Sequence, residues 1–231
     1  LLNEDKSKLS KRQGDVAVED YINRGYLKDA LMNFVALLGW HGSDDKEFYS
    51  IDELLDNFSI DRVRSSGAVF NVQKLKWFNQ YYIKNTTNPI LLNLSKKYLP
   101  DDWDVTESMM NLVKDSIETL SDIKSKLSIF FLYSTDINEN TIDQYFNDKI
   151  FTLLNEFIIE IDTKKSITSD DFKFIINTIK SNHSISSNVW KAIRITLTGN
   201  EIGPDLAKTV EILGPAKCIN RIKLFLSDHA N

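Results

Sequence analysis

A short cationic segment near the start of the sequence has the residue types needed to act on a chain of phosphates. Residues 8–12 read Lys-Leu-Ser-Lys-Arg, so Lys8 and Lys11 flank the hydroxyl of Ser10. Positive charges in such a loop stabilise the negative charge that develops when a triphosphate is split. We therefore expect Lys11, assisted by Lys8, to contact the departing phosphates, and Ser10 to shape the loop. The alternative for Lys8 is that it orders a solvated surface loop.

The sequence holds only part of such a catalytic site. It has no glycine-rich phosphate loop and no His-x-Gly-His motif, and it does not begin with Met. We therefore expect the chain to be the back portion of a larger enzyme and to be inactive by itself.

The histidines and the cysteine of the sequence give little support for a metal site or for another kind of catalysis. The residues His41, His183 and His229 have no partner at metal-ligand spacing, and Cys218 is the single cysteine. The sequence therefore predicts no metal site and no disulfide framework. Its apolar runs are far shorter than a bilayer requires, and no signal peptide is recognisable at its start. We expect a cytoplasmic protein with no membrane partner.

The distribution of charge matters more than its sum. A net charge of −5 argues against nucleic-acid binding. From Lys173 to Arg194, however, Lys180 and Lys191 add positive charge and no acid intervenes. The excess continues in the last part of the chain, at Lys208, Lys217, Arg221 and Lys223. Phosphate binding depends on local potential, so this region is a candidate for binding RNA. Solvated helix faces are the alternative for each lysine.

Apolar residues recur at helical spacing almost throughout the chain. One stripe runs from Leu27 to Leu38, with Gly39 as the expected stop. N-terminal caps are predicted at Ser50 (in a capping box with Glu53), Asn71, Thr106 and Ser121. The helix after Thr106 is expected to reach Leu120. Later helices are predicted over Ile142–Ile161, Asp170–Lys180, Ser187–Leu197 and Leu206–Leu213, with Pro215 opening another first turn.

Signals for strands are few. Short extended pairs are expected only at Val69–Phe70 and near Lys11–Val18. Breaks between helices are expected at Asn85–Pro89 and Pro100–Asp104. The fold class is therefore mainly α, with a small mixed α/β module followed by a continuous helical body.

Three ordered blocks of the sequence resemble bacterial-type glutamyl-tRNA synthetases. The blocks comprise Gly14–Tyr21, Gly25–Phe34 and Leu37–Trp40; Asp61–Phe70 and Lys74–Asn79; and Leu197–Asn200, Gly203–Leu206 and Ile212–Gly214. In that family, residues 8–12 correspond to the second signature motif of class I synthetases, usually written KMSKS. Here Leu9 replaces the methionine and Arg12 the final serine. The blocks span the whole chain, which makes the resemblance specific.

The resemblance implies both a reaction and an organisation. ATP, with Mg²⁺ in the full enzyme, would activate L-glutamate, and the glutamyl group would pass to tRNA(Glu). Residues 1–84 would carry the motif and a stem-contact domain. Residues 85–138 and 139–231 would form two helical anticodon-binding subdomains. A monomer is expected.

The same resemblance implies where the anticodon is bound. The loop from Leu197 to Leu206 would contact it through Gly203, Pro204 and Leu206, while Lys191 and Arg194 would position the RNA backbone. The alternative is that this loop only connects two helices.

One departure from the family bears on specificity. Relatives that accept only tRNA(Glu) tend to carry an arginine where the helix expected over Asp115–Leu120 has Ser116, and that arginine reads the third anticodon base. A short uncharged side chain removes this discrimination, so we expect tRNA(Gln) to be charged as well. The side chain of Lys114 is the alternative reader.

Other functions stay open at this point. The chain could be a helical RNA-binding module without catalysis, or a helical interaction scaffold. A glutaminyl enzyme would end in β-barrels, and the truncated synthetase-like enzyme that modifies tRNA lacks a helical tail. The four tryptophans are expected in cores or between domains rather than as base-stacking platforms: Trp40, Trp77, Trp103 and Trp190.

Overall fold

The computed structural model describes residues 1–10, 17–64, 66–185 and 188–229. Helices make up most of these residues, as the sequence predicts. In chain order the α-helices are α1 Val18–Asn23, α2 Lys28–Gly39, α3 Ile51–Asn57, α4 Val72–Asn85, α5 Asn88–Ser95, α6 Glu107–Val113, α7 Ile123–Phe131, α8 Glu139–Tyr145, α9 Asp148–Ile161, α10 Ser169–Asn182, α11 Val189–Thr198 and α12 Leu206–His229. Short 3₁₀ helices lie at Ile60–Arg62, Lys96–Tyr98, Lys114–Ser116 and Leu120–Asp122.

The chain divides into two compact units, Leu1–Lys126 and Leu127–Asn231. The three-part division predicted at residues 84 and 138 stays a prediction. In the described ranges, β-pairing is limited to isolated bridges: Leu2 with Lys8 and with Val69, and Trp40 with Val63. The bridge at Val69 confirms the extended segment expected at Val69–Phe70. Most of the second expected segment, near Lys11–Val18, lies outside the described residues.

The first unit is built on an aromatic core between α2 and α4. Phe34 and Phe78 are 2% and 0% exposed, and their ring centroids lie 5.8 Å apart. The buried Asn79 fixes the geometry with both ends of its amide. Its Oδ1 accepts the N–H of Leu27 at 2.8 Å, and its Nδ2 donates to the carbonyl of Glu118 at 2.6 Å. Satisfying both ends lets a polar side chain stay buried at little cost.

Several predicted caps of the first unit are confirmed. The Ser50 hydroxyl accepts the N–H of Glu53, whose carboxylate accepts the N–H of Ser50. Asn71 and Thr106 accept the N–H groups of Lys74 and Met109. Each bond satisfies one amide that a helix start leaves unpaired.

The prediction for residues 107–121 is wrong in two respects. Helix α6 ends at Val113, so it does not reach Leu120. The segment expected as a helix over Asp115–Leu120 holds only parts of two 3₁₀ helices, with irregular backbone between them. The predicted cap at Ser121 is also wrong, because its hydroxyl donates to the carbonyl of Arg24. The Asp122 carboxylate instead accepts the N–H groups of Glu118 and Thr119 and so competes with a continuous helix.

The second unit packs α9, α10, α11 and α12 around fully buried side chains such as Phe157, Phe172 and Phe225. The single helix predicted over Ile142–Ile161 is wrong: α8 and α9 are separate. Asn147 lies between them in an extended conformation, and its side chain accepts the N–H of Ile150. A cap inside the predicted stretch starts a new helix there.

Helix α12 is kinked where the sequence predicts a break. Gly214 has φ +73° and ψ 167°, which is non-helical, and Pro215 follows it. Glycine adopts this backbone readily, and proline suits a first helical turn. The predicted end near Leu213 and restart at Pro215 are therefore confirmed as a kink within α12.

Candidate nucleic-acid interface

The loop between α11 and α12 is defined at both ends. Gly199 closes α11 with φ +70°, and its N–H bonds to the carbonyl of Ile195 at 2.8 Å. At the other end, the Asp205 carboxylate accepts the N–H of Lys208 at 2.8 Å and caps α12. The loop over residues 199–205 is therefore short and held at fixed points.

Arg194 fastens this loop to the preceding helix. Its Nη1 donates to the carbonyl of Pro204 at 2.6 Å. A Cβ at Gly203 would lie 3.2 Å from the same nitrogen, so the loop passes close to the guanidinium at this residue. Burial lowers the pKa of Arg194, but a guanidinium stays protonated in proteins. Arg194, predicted to position the RNA backbone, thus meets Gly203 and Pro204, two of the residues predicted to contact the anticodon.

Lys191 makes the second attachment of the loop. Its ammonium lies 3.2 Å from both the Tyr145 hydroxyl and the Glu201 carboxylate, and 5.0 Å from the Tyr145 ring centre. The bond to Tyr145, then that to Glu201, raises the pKa of Lys191. The bond from Lys191 lowers the pKa of Glu201. Because both groups are exposed to solvent, the pair adds little stability but reduces the free charge at Lys191.

These residues border a surface cavity of about 420 Å³ in the second unit. The volume falls within the range of about 300–1,000 Å³ typical of ligand sites. Leu206, predicted to contact a base, lines it and is 7% exposed. The cavity is lined by Phe172, Lys173, Asn177, Trp190, Lys191, Arg194, Glu201, Asp205, Leu206 and Ala207.

Sequence reasoning predicts neither Asn177 nor Trp190 in this lining: it gives Asn177 no role and places Trp190 in a core or between domains. It includes Lys173 only as the start of the basic stretch. Trp190 is 38% exposed. The spacing of Lys173 and Asn177, four residues apart on α10, places them on one helix face and could have indicated a shared surface.

Ser116, the predicted specificity position, lies in the first unit. It ends the 3₁₀ helix Lys114–Ser116, and its hydroxyl donates to the carbonyl of Val113 at 2.7 Å. The residue is exposed. Its predicted role in reading the anticodon stays a prediction.

The cationic motif at residues 8–12 is only partly described. Residues 1–9 form a small hairpin in which Leu9 donates to the carbonyl of Leu1 at 3.0 Å, and Phe70 donates to Leu2 at 2.8 Å. The side chain of Lys8 is exposed and that of Ser10 is half-buried. Lys11, the first choice for catalysis, lies outside the described residues. The hairpin therefore anchors the start of the motif on residues 68–70.

One basic residue must be removed from the proposed RNA-binding surface. Arg221 is 6% exposed, and its Nη1 donates to the carbonyls of Ile129 at 2.7 Å and Leu197 at 2.6 Å. Its guanidinium also lies 5.0 Å from the ring centre of Tyr133. The prediction that Arg221 adds to the basic charge available for RNA is wrong. Its guanidinium bonds carbonyls at the ends of two helices and is not free to bind phosphates.

Within the described residues, no group of three His, Cys, Asp or Glu side chains could hold a metal ion. Burial raises the pKa of the Cys218 thiol to about 12, so it is inert as a nucleophile. Among the helices described, none is both long enough and apolar enough to span a bilayer.

Two family models match consecutive parts of the chain. Residues 74–226 match the model described as "Anticodon binding domain". Residues 1–77 match that of "tRNA synthetases class I (E and Q), catalytic domain". The cavity and its loop thus lie within the part that resembles anticodon-binding domains.

Two curated relatives similar to this chain are named as glutamate–tRNA ligases. A "Glutamate--tRNA ligase" of Clostridioides difficile is 35% identical over 96% of this chain and 48% of its own length. "Glutamate--tRNA ligase 1" of Fervidobacterium nodosum is 38% identical over 98% of this chain and 48% of its own length. The chain therefore spans about half the length of the curated relatives it matches.

A solved structure supports the same likeness. The crystal structure of a glutamate tRNA ligase from Elizabethkingia meningosepticum, in complex with its amino acid, matches 99% of this chain and 50% of its own chain. The TM-score is 0.88 and the sequence identity 27%. The predicted resemblance to glutamyl-tRNA synthetases and the mainly α fold are both confirmed.

Proposed function

The chain belongs to the anticodon binding domain family, and on that premise we propose that it is the C-terminal, tRNA-binding portion of a glutamate–tRNA ligase. The parent enzyme would form glutamyl-adenylate from glutamate and ATP and then pass the glutamyl group to tRNA(Glu). The names of the relatives and the match of residues 1–77 to a class I catalytic domain support this reaction.

The observation that carries the RNA-binding part is the loop over residues 199–205. It is fastened to α11 by Arg194 and Lys191 beside a cavity that combines cations with apolar walls. Unstacked bases need an apolar surface and polar groups for their edges, while the phosphates need positive charge. A loop that only connected two helices would need neither the cavity nor the cations.

The catalytic contribution of this chain would come from the motif at residues 8–12. Lys11 and Lys8 would stabilise charge on the departing pyrophosphate, and Ser10 would shape the loop. Mg²⁺ would arrive with ATP, bound through the phosphates. The nucleotide pocket and the glutamate pocket would belong to the rest of the parent enzyme, so this portion alone would form no adenylate.

The third anticodon base would be read loosely. Ser116 is short and uncharged, and its hydroxyl is already bonded to Val113. It cannot supply the fixed, doubly donating contact that an arginine would give a base edge. We therefore include tRNA(Gln) as a second substrate. The protein would act as a cytoplasmic monomer.

Binding to transcripts of tRNA(Glu), tRNA(Gln) and an unrelated tRNA tests the proposal. The chain should bind the first two more tightly than the third, and affinity should fall as salt rises, because phosphate contacts release counterions. The variants Arg194→Gln and Leu206→Ala should weaken binding, whereas Lys165→Gln, outside the cavity, should not.

Three results would argue against the proposal. Equal affinity for all three tRNAs would favour a general RNA-binding module. Salt-independent or absent binding would favour a protein-interaction scaffold. Charging assays with the full-length enzyme test the second substrate, and strict rejection of tRNA(Gln) would refute the role given to Ser116.

A further inference from the structure

One wall of the cavity has no role in the function proposed so far. It is formed by Lys173 and Asn177 on α10 and by Trp190 at the start of α11. All three are exposed, although the hydrophobic core of the unit lies directly behind them at Phe172 and Ile176.

The tryptophan packs against a ring of the hydrophobic core. Its ring meets that of Phe172 at 73° with centroids 5.8 Å apart, and Phe172 is 0% exposed. An edge-to-face contact with a fixed core ring limits the rotation of the indole. Trp190 is nonetheless 38% exposed where it lines the cavity. A large aromatic surface that is both rigid and accessible is what a flat ligand can stack against.

The polar groups of the wall are available to a ligand. Within the described residues, neither the ammonium of Lys173 nor the amide of Asn177 makes a side-chain hydrogen bond or ion pair. By contrast, the two acids of the cavity are engaged: Glu201 pairs with Lys191, and Asp205 caps α12. The wall therefore offers an amide donor, an amide acceptor and a positive charge next to the indole.

We propose that this wall binds one unstacked nucleobase of the anticodon loop. Trp190 stacks on the base, Asn177 bonds its pairing edge through neighbouring donor and acceptor atoms, and Lys173 contacts the adjoining phosphate. The inference rests on the proposed tRNA-binding function. It adds to the site a second group of residues, on α10 and at the start of α11, besides the loop over residues 199–205.

The fluorescence of Trp190 and the affinity for an anticodon stem-loop RNA test this assignment. Stacking should quench tryptophan emission in the native chain, and Trp190→Phe should lose that part of the quenching. Trp190→Ala should weaken binding about 5- to 150-fold, the range for one stacked base. Trp190→Phe keeps an aromatic ring against Phe172 and guards against misfolding.

The polar variants separate base from phosphate recognition. Asn177→Ala should weaken binding about tenfold and remove sensitivity to substitution of one anticodon base. Lys173→Gln should lower affinity for every sequence alike and reduce the salt slope by about 0.7, as for one phosphate of a single strand. Asn155→Ala and Lys165→Gln, outside the cavity, are the matched controls.

The outcomes distinguish the two proposals. If the stem-loop binds but Trp190 is not quenched and the Asn177 and Lys173 variants behave like their controls, this wall is not part of the site and the loop alone binds RNA. If neither the stem-loop nor the whole tRNA binds to the native chain, the proposed function itself fails. Quenching with equal response to every base would overturn the role of Asn177 while retaining that of Trp190.

Discussion

Replacing Arg221 by methionine should destabilise the second unit more than any exposed basic substitution. The guanidinium is buried and bonds the carbonyls of Ile129 and Leu197, at the ends of α7 and α11. The last carbonyls of a helix have no intrahelical partner. A cation near them also interacts favourably with the negative end of the helix dipole. Arg221 therefore caps two helices through a single side chain.

The size of the effect follows from these bonds. Two hydrogen bonds from a charged donor contribute about 1.5–3 kcal/mol each, or about 3–6 kcal/mol together. Removing the charge recovers part of its desolvation cost but leaves two carbonyls facing an apolar side chain. We expect a net loss of about 3–5 kcal/mol in the free energy of unfolding, as for other buried charges whose contacts are broken. Such a loss is a large share of the total for a domain of ordinary stability.

Urea unfolding followed by far-UV circular dichroism measures this loss. Lys223→Met, an exposed substitution on the same helix, is the matched control and should change stability by less than about 0.5 kcal/mol. Tyr133→Phe gives a milder second variant if Arg221→Met does not fold. The Tyr133 hydroxyl lies 2.6 Å from the carbonyl of Thr196 and 3.0 Å from that of Arg221 and shares its one hydrogen between them, so its removal should cost about 1–2 kcal/mol. A loss below 1 kcal/mol for Arg221→Met, or one no larger than that of Lys223→Met, would refute the capping role.

Three further predictions concern the first unit, acid stability and catalysis. Gly25→Ala should cost about 3 kcal/mol or more by urea unfolding, because φ is +89° and a Cβ would lie 2.6 Å from two backbone nitrogens; Gly39→Ala, with open space, should be nearly neutral. The bond from the Thr168 hydroxyl lowers the pKa of Asp171, so the ionised carboxylate stabilises the folded state above the unfolded value of 3.8, and this stabilisation is lost as pH falls through the folded pKa. The variant Asp171→Asn should therefore reduce the acid dependence of the melting temperature. An unchanged pH profile of the melting temperature would contradict this. In the full-length enzyme, Lys11→Ala should lower kcat by about two to three orders of magnitude, and near-normal adenylate formation would exclude its role.

Helix caps are among the features that the sequence predicted correctly. The caps at Ser50, Asn71 and Thr106 follow from one side chain and an amide three residues away, and all three are present. The helix start after Asn147 was not predicted, although its capping bond to Ile150 spans the same three residues. Apolar spacing continues across Asn147, and this periodicity predicts one continuous helix. A periodic pattern gives the buried face of a helix but not the residue at which it ends.

Only part of the proposed binding site could be predicted from the sequence. Resemblance indicated the loop residues Gly203, Pro204 and Leu206, since they lie together in the sequence. It could not indicate Lys173 and Asn177, which come from α10 and meet Trp190 only after the helices pack. Nor could it show that Arg221 is buried, because an arginine in an amphipathic helix looks the same from the sequence whether it binds phosphate or caps another helix.

The packing also shows how the proposed RNA site is compatible with a net charge of −5 for the whole chain. The acids of the cavity have partners of their own: the Glu201 carboxylate lies 3.2 Å from Lys191, and that of Asp205 accepts the N–H of Lys208. Their negative charge is thereby offset by a cation and by a helix start. The lining therefore holds three cations, Lys173, Lys191 and Arg194, against these two acids, although the total charge of the chain is negative. The same two pairings also hold the loop in place, so the geometry of the loop and the balance of charge beside it depend on the same contacts.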